Sequence, residues 1–244
     1  MERKHYIIGD VHGHSDTLLK LIAKLPEDAK LVFVGDLIDR GSQSAKVIQF
    51  VKENSHLCVL GNHEDYMIRE SEQILQAFDD KGQRFNTESL WQYAGGIQTL
   101  LSYDLIRAID KKIVKNSNPD EAIRHFKNDV EWLKSLPLYL ELGAIAKVSD
   151  KPVVVSHACI GDIWRQREDK ELLREFSLWN RTIPSFSIPI FNIYGHTPVK
   201  NVRIRENEFV NVDTGCYTDL DGFMKLSAYC IESGEVVSVQ REKQ

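Results

Sequence analysis

Gly9-Asp10-Val11-His12-Gly13 is the stretch that decides the fold of this chain, and two related stretches follow it. They are Gly35-Asp36-Leu37-Ile38-Asp39-Arg40-Gly41 and Gly61-Asn62-His63-Glu64. Each follows a short apolar run, at residues 6–8, 31–34 and 57–60. Apolar runs that contain β-branched residues and end at Gly-Asp or Gly-Asn are typical of buried strands in a largely parallel sheet.

The spacing of the three stretches predicts how the chain connects them. Asp10 and Asp36 are 26 residues apart, and Asp36 and Asn62 are again 26 residues apart. Segments of helix length lie between them, at 15–25 and 42–52. Two successive strand–helix–strand units with right-handed crossovers fit this spacing. The three polar side chains are then expected just past the carboxyl ends of neighbouring strands, where open α/β sheets bind ligands.

Two carboxylates, an amide and the imidazole of His12 would therefore converge at one sheet edge. Such a cluster is costly without a cation, because burial and mutual repulsion both penalise the charged carboxylates. Hard oxygen ligands together with imidazole suit manganese, iron, zinc or magnesium. Of the eight histidines, four stand in loops directly after apolar runs: His12, His63, His157 and His196. The repeated pattern predicts a metal centre.

Length and composition indicate one globular domain over residues 1–244. A hydrophobic content of 42% is enough to fill a large core. No apolar run approaches the ~18 residues of a membrane span, and the first residues lack the apolar stretch of a signal peptide. We therefore expect a cytoplasmic protein without membrane association. The net charge of −5 gives no general attraction for nucleic acid, so stable nucleic-acid binding is not expected.

The four cysteines form no Cys-x-x-Cys pair, which argues against structural zinc and against a disulfide scaffold. Cys58 and Cys230 lie in apolar runs and are expected to be small buried side chains. Cys159 and Cys216 directly follow motif residues. Redox sensing stays open for these two, although inert packing is the preferred interpretation.

The rest of the chain divides into a helical part and a β-rich part. Helical periodicity covers 65–78, 90–109 and 120–134, with a break at 79–82, and Gly95-Gly96 predicts a bend or a close backbone approach. We interpret 65–135 as a helical cap insertion beside the site. A charged stretch at 165–175 predicts an exposed helix. Strands are expected at 138–142, 144–148, 152–156, 190–194, 202–205, 208–212, 225–231 and 236–240. The expected fold class is α/β (α+β), with two packed sheets and helices outside.

These motifs resemble the calcineurin-like metallophosphoesterases, and within them the phosphoprotein phosphatases with their bacterial and phage serine/threonine members. The shared pattern is Gly-Asp-x-His-Gly, Gly-Asp-x-x-Asp-Arg-Gly, Gly-Asn-His-Glu, a further His and a Gly-His pair. It is met at 9–13, 35–41, 61–64, 157 and 195–196, and the runs at 178–181 and 196–198 add to the likeness. The resemblance implies a β-sandwich of two mixed sheets flanked by helices.

The resemblance also implies two divalent metal ions, with Asp36 bridging them. Asp10, His12 and Asp36 would hold the first ion, and Asp36 would hold the second together with Asn62, His157 and His196. Manganese is the first choice, and iron, zinc and magnesium are alternatives. Such a pair lowers the pKa of a shared water, and the bridging hydroxide would attack phosphorus in line.

Four catalytic residues are implied by the same resemblance. Arg40 and Arg181 would clamp the phosphoryl oxygens, because a planar guanidinium can hold two oxygens at once. His63 would protonate the leaving alkoxide, with Asp39 as the partner that favours its imidazolium. A purely structural role for His63 remains an alternative.

Several other residues receive no catalytic role. Arg165 and Arg167 are alternatives to Arg181, although an exposed helix face accounts for them. Asp213-Thr214-Gly215 is interpreted as a turn. The aromatic residues of 65–135 are expected in the core: Trp91, Tyr93 and Tyr103.

Two activities follow from the resemblance. The first is a protein phosphatase that removes phosphate from phosphoserine, phosphothreonine or phosphotyrosine in proteins or peptides. The second is a diadenosine polyphosphate hydrolase, which cleaves a phosphoanhydride with the same metals. The symmetrical tetraphosphatases lack the Asp before Arg in the second motif and read Gly-Asn-His-Asp in the third, whereas this chain keeps Asp39 and Glu64. An alkoxide leaving group needs a proton more than a phosphate does, so the motifs favour the first activity.

Two further classes are disfavoured. A binding protein with an inactive site is at odds with the complete ligand set. A nucleic-acid phosphodiesterase would be expected to show a basic stripe, which this acidic chain lacks. The oligomeric state and the physiological substrate stay open.

Overall fold

The computed structural model of the chain describes residues 3–79, 85, 88–143, 145–185 and 187–242. Within them, the strands are β1 His5–Ile8, β2 Lys30–Phe33, β3 Leu57–Cys58, β4 Ile106–Ile109, β5 Lys112–Lys115, β6 Tyr139–Leu142, β7 Val153–Ser156, β8 Phe191–Tyr194, β9 Arg203–Arg205, β10 Phe209–Asn211, β11 Lys225–Cys230 and β12 Val236–Gln240. The α-helices are α1 Ser15–Ile22, α2 Ser44–Glu53, α3 Asn62–Asp79, α4 Ile97–Ser102, α5 Asp120–Lys134 and α6 Lys170–Trp179. A π-helical turn spans Gln92–Gly96, and a 3₁₀ helix spans Gly161–Gln166.

Two five-stranded mixed sheets form the framework. The first has the order β12-β11-β1-β2-β3, in which β1, β2 and β3 are parallel and connected through α1 and α2. The second has the order β6-β7-β8-β10-β9, with a parallel centre of β7, β8 and β10. The predicted strand–helix–strand units and mixed sheets are thus confirmed.

The two sheets pack face to face and carry helices on their outer faces. Alternation along β7 shows this, because successive side chains of a strand point to opposite faces. Val153 and Val155 join Ile7 and Val32 of the first sheet in one buried cluster. Val154 instead packs outward among residues of the 3₁₀ helix and α6. The outer face of the first sheet packs against α1 and α2. The architecture is therefore the expected β-sandwich flanked by helices.

The segment 65–135 is not wholly helical. The helix expected at 90–109 ends at Ser102, and β4 pairs with β5 as an antiparallel hairpin. Asp110 and Lys111 form its turn with φ of 47° and 63°. Positive φ at both central residues matches the right-handed twist of paired strands, which explains the hairpin. The break expected at 79–82 begins where α3 ends at Asp79, and its remainder lies outside the described residues.

One further expectation is wrong, and another is confirmed only in part. The strand expected at 144–148 does not form over 145–148, where Ile145 is 83% exposed and a turn follows. Ala144 lies outside the described residues. The helix expected at 165–175 begins only at Lys170, because the Asp169 side chain accepts hydrogen bonds from the N–H groups of Glu171 and Leu172 and caps it there. None of the helices in the described part of the chain is long and apolar enough to span a membrane.

Candidate metal centre

Strand ends from both sheets bring the six expected metal ligands to one edge of the sandwich. Asp10 and His12 follow β1, Asp36 follows β2, and Asn62 opens α3 after β3. From the second sheet, His157 follows β7 and His196 follows β8. All six side chains are buried, with at most 4% exposure. Because parallel strands end at the same edge, motifs far apart in sequence meet in one site.

The loops at these strand ends adopt strained backbone conformations. Positive φ occurs at several non-glycine residues: His12, Asp36, Asp39, Arg40 and His196. Such conformations persist only where the surroundings hold them. Glu64 supplies this support, because its carboxylate accepts N–H groups of Asp36 and Leu37 at 2.8 Å and of Gly61 at 3.0 Å. Glu64 was given no role from the sequence, and we find that it fixes the second motif loop.

Around His157, acceptor atoms converge in a way that calls for a cation. Its Nδ1 donates to the Val34 carbonyl at 2.8 Å, and burial lowers the pKa of His157, so the ring is neutral with a lone pair on Nε2. This Nε2 lies 2.8 Å from Asn62 Oδ1, 3.1 Å from His196 Nδ1 and 3.4 Å from Asp36 Oδ1. Lone pairs at such distances repel each other unless a positive charge lies among them.

The ring of His196 completes this group. Its Nε2 is buried without a hydrogen-bond partner among the described residues, and Nδ1 faces Asn62 Oδ1 at 3.0 Å. Burial and the neighbouring His157 lower the pKa of His196 to about 2, so this ring is also neutral. The donor set of two imidazoles, one amide oxygen and one carboxylate fits a divalent transition metal.

A second group lies on the other side of Asp36. The Nδ1 of His12 donates to the Ile38 carbonyl at 2.8 Å, which directs Nε2 toward Asp36 Oδ2 at 3.5 Å. His63 Nε2 is 3.9 Å from the same oxygen. Among the described residues, His12, Asp36 and His63 therefore form one candidate metal group, and Asp36, His157 and His196 form another. Asp36 is common to both, as a bridging ligand must be.

Asp10 lies beside these groups rather than within either of them. Its carboxylate oxygens accept the backbone N–H of His196 at 3.0 and 3.2 Å. Burial and the charges of Asp213 and Asp36 raise the pKa of Asp10 well above its ordinary value. A cation nearby would offset this repulsion, which is consistent with the ligand role proposed for Asp10.

Asp39 and His63 form a buried pair. His63 Nδ1 lies 2.6 Å from Asp39 Oδ2. Burial lowers the pKa of His63, but the charges of Asp36 and Asp39 outweigh it and the net shift is upward. Asp39 also accepts Trp91 Nε1 at 2.9 Å and the Thr99 hydroxyl at 2.6 Å, so the segment 65–135 contributes donors to the pair.

Arg40 extends over the group around His12. Its Nη1 lies 3.3 Å from His12 Nε2, and Nη2 lies 3.1 Å from His63 Nε2. The guanidinium carbon stacks 3.7 Å from the ring centre of Tyr217. The Arg40 backbone N–H donates to the Gly95 carbonyl at 3.3 Å. Gly95 has φ of 120°, and a Cβ there would lie 2.7 Å from Arg40 N, which confirms the predicted close approach.

Arg181 approaches the site from the end of α6. Its side chain is exposed, and Nη1 donates to the His196 carbonyl at 3.2 Å. A phosphoryl group near His196 would therefore lie within reach of its remaining N–H groups. Arg167, an alternative from the sequence, instead stacks on Trp164 and donates to the Trp164 carbonyl at 3.1 Å.

The structure also draws in residues that sequence reasoning left aside. Asp213 forms the expected turn through its Oδ1 and the Gly215 N–H, but it is fully buried and its Oδ2 has no partner among the described residues. Burial, together with the charge of Asp36, raises the pKa of Asp213 to about 7. Tyr217 carried no motif signal, since its contact with Arg40 arises only from tertiary packing.

The two cysteines near the motifs are not poised for redox chemistry. Cys159 and Cys216 are fully buried, and burial raises the pKa of each thiol to about 12. A thiol that stays protonated at neutral pH is a poor nucleophile. All four cysteines are unpaired.

Comparison with known proteins agrees with this geometry. Residues 4–200 match the calcineurin-like phosphoesterase family. The chain is a calcineurin-like phosphoesterase. Calcineurin-like phosphoesterases hydrolyse phosphoester bonds with a dinuclear metal centre, and the two candidate groups around Asp36 match that requirement.

Relatives of this phosphoesterase carry different activities in their names. An asymmetrical bis(5′-nucleosyl)-tetraphosphatase, PrpE of Oceanobacillus iheyensis, is 31% identical in an alignment of 263 positions that covers 96% of this chain and 90% of the relative. The crystal structure of a candidate diadenosine tetraphosphatase superposes with a TM-score of 0.64 at 17% identity, covering 99% and 95% of the two chains. A serine/threonine phosphatase from Saccharomyces cerevisiae gives 0.55 at 15% identity, covering 99% and 81%. At these low identities, the two structural similarities show only that the fold is shared.

Proposed function

We propose that this calcineurin-like phosphoesterase hydrolyses dinucleoside polyphosphates asymmetrically, yielding a nucleoside monophosphate and a nucleoside triphosphate from a tetraphosphate. The observation that carries the proposal is the similarity to PrpE, which extends over nearly the full length of both chains. The alignment covers 96% of this chain and therefore extends well beyond the motifs. This reverses the order of the two activities that the motifs alone suggested.

The second candidate is the protein phosphatase activity. One observation favours it, namely the contact of 2.6 Å between His63 and Asp39. A protonated imidazole held in this way can donate a proton to a leaving alkoxide, which a polyphosphate leaving group needs far less. We therefore keep phosphoserine and phosphothreonine peptides as the competing substrate class.

The third motif differs from that of the symmetrical tetraphosphatases. Glu64 reaches the backbone of three residues in the second motif loop with both carboxylate oxygens. A shorter aspartate, as in the symmetrical tetraphosphatase pattern, would not span the same distance. Together with Asp39, this difference supports asymmetric rather than symmetric cleavage in the proposal.

The proposed chemistry assigns a task to each group of residues. Two divalent ions held by the six ligands would supply a water of lowered pKa and positive charge for the phosphoryl oxygens. Arg40, which lies beside His12 and His63, and Arg181, which lies beside His196, would bind the non-bridging oxygens. His63, oriented by Asp39, directs Nε2 toward the same space and stabilises the negative charge that develops on the leaving oxygen.

The test compares both substrate classes on the same enzyme after chelation and reloading with Mn²⁺. Diadenosine tetraphosphate and a mixture of phosphopeptides are supplied in parallel, and products are separated by ion-exchange chromatography. The proposal expects AMP and ATP in equal amounts and slow release of phosphate from the peptides. Formation of ADP alone would exclude asymmetric cleavage. Rapid release of phosphate from peptides, with the dinucleotide intact, would establish the second candidate instead.

A further inference from the structure

Two aromatic side chains border the metal centre on the side that Arg181 faces. Tyr66 lies one helical turn after Asn62 in α3, and so projects from the same helix face. Trp179 is the last residue of α6, two positions before Arg181. The two rings meet edge to face with their centres 5.2 Å apart. We call Tyr66 and Trp179 the aromatic pair.

We propose that the aromatic pair binds the nucleobase of the substrate, and that it thereby selects the phosphorus attached to that nucleoside as the point of attack. The inference rests on the proposed dinucleotide hydrolase function and specifies how its substrate is held. Purine and pyrimidine rings stack on aromatic side chains in a way that tolerates different bases, because every base has a π-face.

The position of the aromatic pair is the first argument. The Trp179 ring centre lies 6.3 Å from that of His196, and the Tyr66 ring centre lies 6.4 Å from that of His63. The pair therefore borders both candidate metal groups. A phosphoryl group bound between these histidines would place its own nucleoside, only one sugar away, over the aromatic pair.

Exposure is the second argument. Trp179 lies at the rim of the buried site, and 36% of its surface is accessible to solvent. In the described part of the chain, Trp91 and Trp164 are both buried, at 0% and 8%. A partly exposed tryptophan beside a phosphate-binding site offers an apolar surface on which a base could stack.

A further aromatic residue lies at the candidate metal centre, but another side chain already covers its ring face. Tyr217 presents its face to the Arg40 guanidinium at 3.7 Å, so a base could stack there only after displacing a phosphate clamp. Tyr93 is 77% exposed next to Ala94, whose carbonyl accepts Arg40 Nε at 3.4 Å. Tyr93 is thus a competing aromatic site close to Arg40, and it serves as the matched control.

The register of cleavage follows from the location of the base. With the base on the aromatic pair, the phosphorus bonded to that nucleoside is the one at the metal centre. The oxygen of water forms a bond to this phosphorus, and the bond from phosphorus to the bridging oxygen breaks with its electron pair leaving on the triphosphate. Water gives up its protons to solvent, and AMP and ATP result without any redox partner. The oxygen from water is then found in AMP and not in ATP.

The first experiment measures binding of AMP and of ribose 5-phosphate to the Mn²⁺-loaded enzyme by titration calorimetry. Ribose 5-phosphate lacks the base but retains the phosphate, so the ratio of the two dissociation constants reports the base alone. We expect AMP to bind roughly tenfold more tightly than ribose 5-phosphate in the wild type. Trp179→Leu should bring the two constants to within about twofold, while Trp179→Phe and Tyr93→Leu should preserve the ratio.

Binding of ribose 5-phosphate is the internal control for folding and for the position of Arg181. It should be unchanged in Trp179→Leu, and Tyr66→Leu provides a second variant that leaves α6 untouched and should also lower the ratio. Equal binding of AMP and ribose 5-phosphate to the wild type would overturn the inference. The inference would also be overturned if Tyr93→Leu made AMP and ribose 5-phosphate bind equally while Trp179→Leu kept the preference for AMP.

The second experiment hydrolyses diadenosine tetraphosphate in ¹⁸O-labelled water and locates the label by mass spectrometry. Label in AMP is the expected result, and label in ATP would overturn the assignment of the attacked phosphorus. These readouts separate the two proposals. If the enzyme does not hydrolyse the dinucleotide but still binds AMP more tightly than ribose 5-phosphate, the proposed function is rejected. The base-binding role of the aromatic pair is then retained.

Discussion

Nδ1 of His63 lies 2.6 Å from Oδ2 of Asp39, and both side chains are almost completely buried. The contact orients the imidazole so that Nε2 faces Asp36 Oδ2 and Arg40. Asp39 is held in turn by Trp91 and Thr99, so neither member of the pair is free to rotate. The orientation of the candidate acid is therefore set before substrate arrives.

Replacement of Asp39 by Asn tests whether this pair acts in proton transfer. The amide keeps the shape but no longer favours the imidazolium, so we expect turnover of a phosphoserine peptide, whose leaving group is an alkoxide, to fall about 100-fold. Diadenosine tetraphosphate should be affected less, because its leaving group is already a weak base. Metal content, measured by atomic emission after gel filtration, should stay at the wild-type level. Equal losses on both substrates would contradict a role in protonating the leaving group.

Replacement of Glu64 by Gln tests the support of the second motif loop. The carboxylate accepts several backbone N–H groups, and an amide would accept some of them and repel others through its own N–H. We expect the affinity for Mn²⁺ to fall about 10- to 100-fold, as for other supports of metal ligands. Competition with a fluorescent chelator measures this. Glu72→Gln, at an exposed position of the same helix, is the control and should bind Mn²⁺ like the wild type.

Replacement of Gly95 by Ala tests the contact between the segment 65–135 and Arg40. The new Cβ would lie 2.7 Å from Arg40 N, and φ of 120° disfavours any residue with a side chain. We expect a loss of about 1–3 kcal/mol in the free energy of unfolding, together with reduced turnover as Arg40 shifts. Urea denaturation gives the first quantity. Gly143→Ala is the matched control, since nothing lies within 4 Å of a Cβ there, and a similar loss in both variants would rule out a specific effect at Arg40.

The dependence of stability on pH should carry a contribution from His56. Burial against Phe33 and Phe50 lowers the pKa of His56 below its ordinary value of 6.5. The unfolded chain then binds more protons than the folded chain at pH values between the two pKa values, so stability falls as the pH drops through 6.5. His56→Phe keeps an aromatic ring in this position. The urea concentration at the midpoint of unfolding should then change less between pH 7 and pH 5.5 than it does in the wild type. An unchanged slope would show that His56 titrates alike in both states, and exposed His125→Gln serves as the control.

The convergence of the expected metal ligands could be predicted because each follows a strand whose apolar pattern is local. Once β1, β2 and β3 are parallel, Asp10, Asp36 and Asn62 must meet at one edge. The hairpin of β4 and β5 was missed because Asp110-Lys111 is a turn without glycine, which only its positive φ values reveal. The strand expected over 144–148 has apolar alternation, yet Ile145 is exposed there.

Contacts between distant segments were beyond prediction from the sequence. Tyr66 and Trp179 come from α3 and α6, and neither stretch contains a signal that the rings touch. The burial of Asp213 and the stacking of Tyr217 on Arg40 likewise depend on the tertiary position of the loop after β10. Sequence patterns fix the direction of strands and helices, whereas such pairings follow from the packing of whole layers.

The hydrogen bonds from Trp91 and Thr99 to Asp39, and from Arg40 to Gly95, have a consequence for protein engineering. A designer who exchanges 65–135 between relatives to alter substrate preference would also exchange the donors that hold the Asp39 carboxylate. Chimeras that exchange 65–135 alone should hold the Asp39 carboxylate poorly. Taking the second motif loop from the same relative as the inserted segment should avoid this. The donors that orient the Asp39 carboxylate, and through it His63, thus belong to the inserted segment and change with it.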